Sequence, residues 1–148
     1  MIRHDLTHWP LVLSTMSGPT TPEDQLAFFA DWMTWLNRGE AFATLRVFAD
    51  ADALTRQQGS GREAKAWLHA NGERLKALVV GMATVVPADK CEEMSRINAE
   101  KLFGVPARTF QDAHEAIIWI GHLLTDRRVG FDPWAIQKSL EELVFTPR

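Results

Sequence analysis

The chain has 148 residues, a formal net charge of −3 and one cysteine. This length suits one domain, and 46% apolar with 24% charged residues is typical of a globular protein. The net negative charge argues against nucleic acid as the partner, because binding to phosphates requires a concentrated basic face.

Cysteine and hydropathy patterns restrict the chain further. Cys91 stands alone, which excludes an internal disulfide and a zinc site built from several thiolates, and it fits a reducing compartment. We predict neither a metal nor another cofactor. The apolar run near the N-terminus is interrupted by Pro10 and is too short to span a bilayer. We therefore predict a cytoplasmic location and no membrane insertion.

Strand-like and helix-like segments alternate along the chain. Thr21 is a natural helix N-cap with Pro22 at the first helical position, and Asp132 with Pro133 repeats this pattern. Residues 77–87 are nearly all apolar, which is typical of a strand buried on both faces. The predicted strands are 11–18, 41–49, 77–87 and a weaker 105–110, with 3–9 adding an edge strand or extending the first. The predicted helices are 22–38, 62–76, one after Pro87, 112–124 and 132–145.

This alternation favours βαβ units and therefore an α/β fold. We predict one domain with a mixed, mostly parallel sheet of four to five strands covered by helices. The α/β unit spans residues 1–125. Residues 126–148 form an appended helical extension that packs on the same domain or on a second subunit.

Two of the predicted helices carry more apolar surface than one sheet face requires. In helix 22–38, aromatic side chains widen the apolar stripe to about half the circumference, beyond the ~100° that covers a sheet. Helix 112–124 is similarly wide. The C-terminal helix, a second subunit or a lipid-like ligand could cover the excess. The candidate interface residues are Phe28, Trp32, Trp35 and Trp119, with the first three predicted to form an exposed aromatic edge.

Ser60, between two glycines and near a helix start, is a candidate phosphorylation site, because a helix N-terminus favours a phosphate. The alternative is an ordinary flexible turn. Asp50 and Asp52 follow a predicted strand, where ligands gather in open α/β sheets, or else they cap the next turn. No catalytic residue is predicted, since neither a GxSxG elbow nor a metal-binding histidine spacing is present.

The order of elements resembles a known family. A strand ending in Ser-Gly precedes "TPEDQLAFFADWMTWLNRGE", "FADADAL", "EAKAWLHANGERLKALVVGMATVVP" and "FGVPARTFQDAHEAIIWI". Over residues 5–125 this is similar to the SpoIIAA-like, STAS-type bacterial domains (sulfate transporter and anti-sigma-factor antagonist). The resemblance implies a small mixed sheet, helices mainly on one side, and function through binding. It also implies a phosphorylated serine near Ser60, although the family's Asp-Ser pair is absent, and some relatives have a lipid-binding pocket beneath the helices.

Three functions follow as hypotheses from these observations. The first is a non-catalytic, STAS-like regulatory or scaffolding module that binds a protein partner or forms a homodimer, with a serine switch as an option. The second is a carrier or sensor of a small apolar, lipid-like ligand, favoured by the surplus of aromatic side chains. The third, ranked lowest, is a hydrolytic or metal-dependent enzyme.

Overall fold

A computed structural model describes residues 2–54, 60–95, 101, 103–128, 130 and 132–145. The side chains of residues 54, 60–63 and 143–145 lie outside this description.

The centre of the molecule is a five-stranded sheet whose spatial order follows the chain order. The first two strands are antiparallel, and every later neighbouring pair is parallel. This confirms the predicted mixed, mostly parallel α/β sheet. The strands are β1 (Ile2–Asp5), β2 (Leu11–Met16), β3 (Phe42–Phe48), β4 (Val79–Val85) and β5 (Ala107–Phe110).

The described residues also form five α-helices, which are α1 (Pro22–Asn37), α2 (Ser60–Leu78), α3 (Ala88–Ser95), α4 (Ala113–Asp126) and α5 (Pro133–Phe145). Helix α1 begins at the predicted cap. Thr21 Oγ1 accepts from the backbone N–H of Asp24, and the Asp24 carboxylate accepts from the Thr21 N–H. Asp112 caps α4 and Asp132 caps α5 in the same way, each accepting from backbone N–H groups of the first turn.

Helices cover both faces of the sheet. Helices α1 and α2 pack on one face, here called the first face, while α4 and α5 pack on the second face. Each of the parallel strands β2 to β5 lies next to the preceding one, always on the same side of it. Connections between parallel strands are right-handed, so the helices that make them are expected on one face of the sheet. The second face would then be open to water, and the two helices after β5 cover it. The expectation that helices lie mainly on one side is therefore wrong.

The C-terminal helix completes the core of the second face. Ile136 and Leu140 of α5 are buried in the same cluster as Ile117 and Leu124 of α4. His8, in the turn before β2, is hydrogen-bonded to the Ser139 hydroxyl at 2.7 Å, which ties α5 to the start of the chain. The chain's own last helix thus covers part of the broad apolar surface of α4, while Ile118 stays 47% exposed.

Gly81 in β4 lets helix α4 approach the sheet closely. A Cβ at this position would come within 2.5 Å of Leu123 Cδ1 and 3.0 Å of Ile120 Cδ1. We predict that Gly81→Val overpacks this contact and lowers the free energy of unfolding by roughly 1–3 kcal/mol in urea titrations.

Gly72→Ala is the matched control. Gly72 lies inside α2, and a Cβ there would meet nothing within 4 Å. The gain in helix propensity should raise the free energy of unfolding by roughly 0.5–1 kcal/mol. Equal effects of the two substitutions would contradict close packing at Gly81.

Candidate functional site

An apolar cavity of the first face lies between the sheet and helices α1 and α2. Its volume is about 440 Å³, within the range of roughly 300–1,000 Å³ that small-molecule sites occupy. Helices α1 and α2 supply most of its wall, and β3, β4 and Phe103 supply the rest. The lining residues are Gln25, Phe28, Phe29, Trp32, Arg46, Ala64, Lys65, Trp67, Leu68, Leu75, Met82 and Phe103.

Aromatic rings form the rigid part of the wall. Phe29 of α1 and Trp67 of α2 are stacked, with centroids 5.3 Å apart and planes at 10°. Trp32 meets Trp67 edge-on at 6.1 Å and is itself packed against Phe42 of β3. Because such rings have few rotatable bonds and interlock, the cavity is held open by packing between the two helices.

A row of polar side chains crosses the sheet beneath these helices. His4, Ser14, Arg46 and Thr84 occupy neighbouring register positions on four strands, and Thr109 follows on the fifth. Strand residues alternate between faces. Apolar residues of β3 at odd positions lie in the core of the second face, so Arg46 lies on the first face, where it lines the cavity.

Arg46 is a cation without a counterion in the described part of the chain. Its Nη2 donates to Thr84 Oγ1 at 3.2 Å, while its Nε is buried and has no described hydrogen-bond partner. No described carboxylate forms an ion pair with it. Desolvation lowers the pKa of Arg46 to about 10, so the guanidinium stays charged at neutral pH. An unpaired charge in an apolar setting destabilises a fold unless a partner arrives.

Trp67 supplies a second unused donor in the same wall. Its indole Nε1 is buried and has no hydrogen-bond partner among the described residues. Buried indole N–H groups usually have an acceptor. The cavity thus combines apolar walls with two hydrogen-bond donors that no described acceptor satisfies.

A serine, a histidine and an aspartate form a hydrogen-bonded chain beside the cavity. His4 Nδ1 lies 2.7 Å from Ser14 Oγ, and His4 Nε2 lies 3.2 Å from an Asp31 carboxylate oxygen. A carboxylate only accepts, so Nε2 carries the proton and donates to Asp31, and Nδ1 accepts from the Ser14 hydroxyl. Burial lowers the pKa of His4 despite the opposing effect of Asp31, which keeps the imidazole neutral at pH 7.

The hydrogen-bonded residues Ser14, His4 and Asp31 join three elements of the fold, β2, β1 and α1. Ser14 is 1% exposed in the middle of β2 and is not among the described residues that line the cavity. The His4 ring packs on Phe28 and edge-on to Trp35. The arrangement therefore fastens β1 and β2 to α1, and it holds Phe28 at the cavity wall.

The aromatic edge predicted from the sequence is only partly exposed. Trp32 and Trp35 are 4% and 2% exposed and belong to the core of the first face, so their predicted exposure is wrong. The reason is that neighbouring elements cover these rings, since Trp32 packs against Trp67 of α2 and Trp35 packs against His4 of β1. Phe28 is half-buried at the cavity, and Trp119 is half-buried against Phe110 on the second face.

The predicted polar candidates lie away from the cavity wall. Asp50 accepts hydrogen bonds from the backbone N–H groups of Gly18 and Ala53, so it braces two loops at the carboxyl ends of β2 and β3. Asp52 is exposed in the adjacent 3₁₀ turn. Ser60 is the first residue of α2, as its position near a helix start predicted, but its side chain and Gly59 lie outside the described residues. Its phosphorylation stays a prediction.

Arg46 is the residue of the cavity wall that sequence reasoning missed. The available signal was a lone charged residue in the apolar strand "FATLRVF". Among the described side chains, no three His, Cys, Asp or Glu residues are grouped so that they could hold a metal ion. No helix in the described ranges has the length and apolar character needed to cross a bilayer.

Comparison with protein-family models, with curated proteins and with solved structures found no match for this chain. The resemblance to STAS-type domains stays a prediction. The geometry of the cavity is the basis for a functional proposal.

The buried neutral His4 predicts a pH dependence of stability. Because burial lowers its pKa in the fold, the unfolded chain binds this proton first as the pH falls. The contribution is fully present above the unfolded pKa of about 6.5 and is lost below it. We expect the free energy of unfolding of the wild type to fall more steeply from about pH 7 to about pH 5 than that of His4→Gln.

His69→Gln serves as the control, since His69 is exposed on α2. Urea titrations of the three proteins at several pH values give the comparison. A His4→Gln profile parallel to those of the wild type and His69→Gln would contradict the assignment of a neutral, buried His4.

Proposed function

We propose that this protein binds a small apolar molecule in the cavity between α1, α2 and the sheet. The observation that carries the proposal is a cavity of about 440 Å³ whose lining side chains are mostly apolar and largely aromatic. Its function is then that of a carrier or sensor, the second hypothesis drawn from the sequence.

The position of the cavity supports this proposal. A solid core would be expected where two amphipathic helices pack on a sheet, because protein interiors are close-packed. Here the side chains of α1 and α2 meet through Phe29 and Trp67 and leave space between that contact and the strands. Binding of a ligand of matching shape in such a cavity is favourable, because the ligand contacts apolar surface that water hydrates poorly.

Filling the cavity should abolish binding of a neutral apolar probe. Ala64 lines the cavity from α2, and we expect Ala64→Trp to weaken binding of N-phenyl-1-naphthylamine by at least roughly tenfold, since the indole occupies the space of the probe. Fluorescence titration measures the affinity. Ala66→Trp is the matched control, because Ala66 is exposed on the same helix.

Organic extracts of the purified protein provide a second readout. Mass spectrometry should find a copurifying small molecule with the wild type and with Ala66→Trp, and should find less of it with Ala64→Trp. If the probe binds neither the wild type nor Ala66→Trp, and no molecule copurifies, the proposed function is wrong.

A second candidate is the regulatory or scaffolding role through a protein partner or a homodimer. The observation in its favour is Trp134, which is 84% exposed in the first turn of α5. Exposed tryptophans are frequent anchors of protein interfaces. This surface lies at the second face, so it is compatible with ligand binding at the first.

If Trp134 anchors a homodimer, Trp134→Ala should weaken self-association by roughly 1–3 kcal/mol, because the largest apolar contact is removed. Sedimentation equilibrium over a range of concentrations measures the effect. Leu26→Ala is the control, since Leu26 is 60% exposed on the opposite face of the sheet. A wild type that stays monomeric, or a dimer unaffected by Trp134→Ala, would rule out this homodimer.

A further inference from the structure

We propose that the molecule bound in this cavity is an amphiphile with a carboxylate, held head-inward by the guanidinium of Arg46. This inference rests on the proposed function, and it names the chemical class of the ligand.

The first step is the charge of the cavity. Arg46 is the cation that projects from the sheet into a space walled by aromatic and aliphatic side chains. A buried cation is normally paired, and its Nε lacks a described partner. An apolar ligand without an anion would bury this charge further and leave it unpaired. A ligand with an anionic head neutralises it.

The second step is the hydrogen-bonding geometry. The bond from Nη2 to Thr84 Oγ1 at 3.2 Å fixes one arm of the guanidinium, and Nε is buried, so a carboxylate in the cavity would meet the terminal Nη groups. Two parallel N–H groups of a guanidinium match the two oxygens of a carboxylate. A head group bound at the sheet meets one cation, Arg46, because Lys65, the other cation that lines the cavity, is exposed on α2. One cation suits a monoanion, whereas phosphate monoesters usually meet several.

The third step is the size of the ligand. About 440 Å³ corresponds to roughly fifteen water-sized units of ~30 Å³ each. A carboxylic acid of about a dozen non-hydrogen atoms fills this space, such as decanoate or an aryl-alkanoate of similar length. Longer chains would extend past the mouth of the cavity.

Two cations line the cavity, and the orientation of the ligand decides which of them its carboxylate meets. Lys65 is exposed and also lines the cavity, so a ligand with its head outward would meet Lys65 instead of Arg46. The Lys65 ammonium is exposed and screened by salt, whereas Arg46 is half-buried, so its charge is less hydrated and less screened. The larger gain from pairing is therefore at Arg46, which places the carboxylate inside.

Isothermal titration calorimetry with decanoate and 1-decanol tests the inference on the whole chain. We expect the wild type to bind decanoate at least roughly tenfold more tightly than 1-decanol. Arg46→Met should weaken decanoate binding by roughly ten- to a hundredfold and leave 1-decanol binding nearly unchanged. Lys65→Met tests the outward orientation and should keep the preference for decanoate, whereas Lys138→Met, the matched control at an exposed position of α5 outside the cavity lining, should bind both ligands like the wild type.

Three outcomes would overturn the inference while leaving the proposed function intact. They are tighter binding of 1-decanol than of decanoate by the wild type, loss of decanoate binding in Lys65→Met but not in Arg46→Met, and tighter binding of decyl sulfate than of decanoate. If 1-decanol, decanoate and N-phenyl-1-naphthylamine all fail to bind the wild type, the proposed function itself is wrong.

Arg46→Lys keeps the test decisive if Arg46→Met does not fold. It retains the charge but loses the planar pair of N–H groups, so decanoate affinity should fall severalfold while 1-decanol affinity is retained. Unchanged decanoate affinity in Arg46→Lys would contradict bidentate binding. The comparison of the two ligands on the wild type requires no variant at all.

Discussion

The guanidinium of Arg46 is the constraint on which the functional account of this protein depends. It lies on a central strand, beneath two helices whose facing side chains are almost entirely apolar. Only the hydroxyl of Thr84 accepts a hydrogen bond from it among the described residues. Folding must therefore accommodate a charge with no described counterion, and under our proposal this cost is offset when an anion enters the cavity. Ligand affinity and fold stability would then be linked through this one residue.

The topology explains why such a site forms on the first face. Consecutive parallel strands with connections of one hand place α1 and α2 side by side on that face. The two helices contact each other through large rings, which separates their backbones and leaves space above β3 and β4. On the second face, Gly81 lets α4 approach β4 closely, and α5 packs against β2.

Most of the fold could be predicted from the sequence, because the features that define its helices and strands lie within short stretches of the chain. Thr21, Asp112 and Asp132 each satisfy backbone N–H groups within their own first turn, so their role is visible in a short stretch of sequence. The apolar run of β4 likewise indicated burial on both faces. The cavity could not be predicted in this way, because it depends on how α1 and α2 pack. Non-local contacts also bury Trp32, against Trp67 of α2, and Trp35, against His4 of β1, and the exposure of both was predicted wrongly. A lone arginine in "FATLRVF" was the one local indication of the site.

A crystal structure of the protein with decanoate bound tests the central claim most directly. The account predicts that the carboxylate lies within hydrogen-bonding distance of the terminal Nη atoms of Arg46, with the alkyl chain between Phe29, Trp32 and Leu68. Decanoate bound with its carboxylate at Lys65, or at a site outside the cavity, would contradict the account.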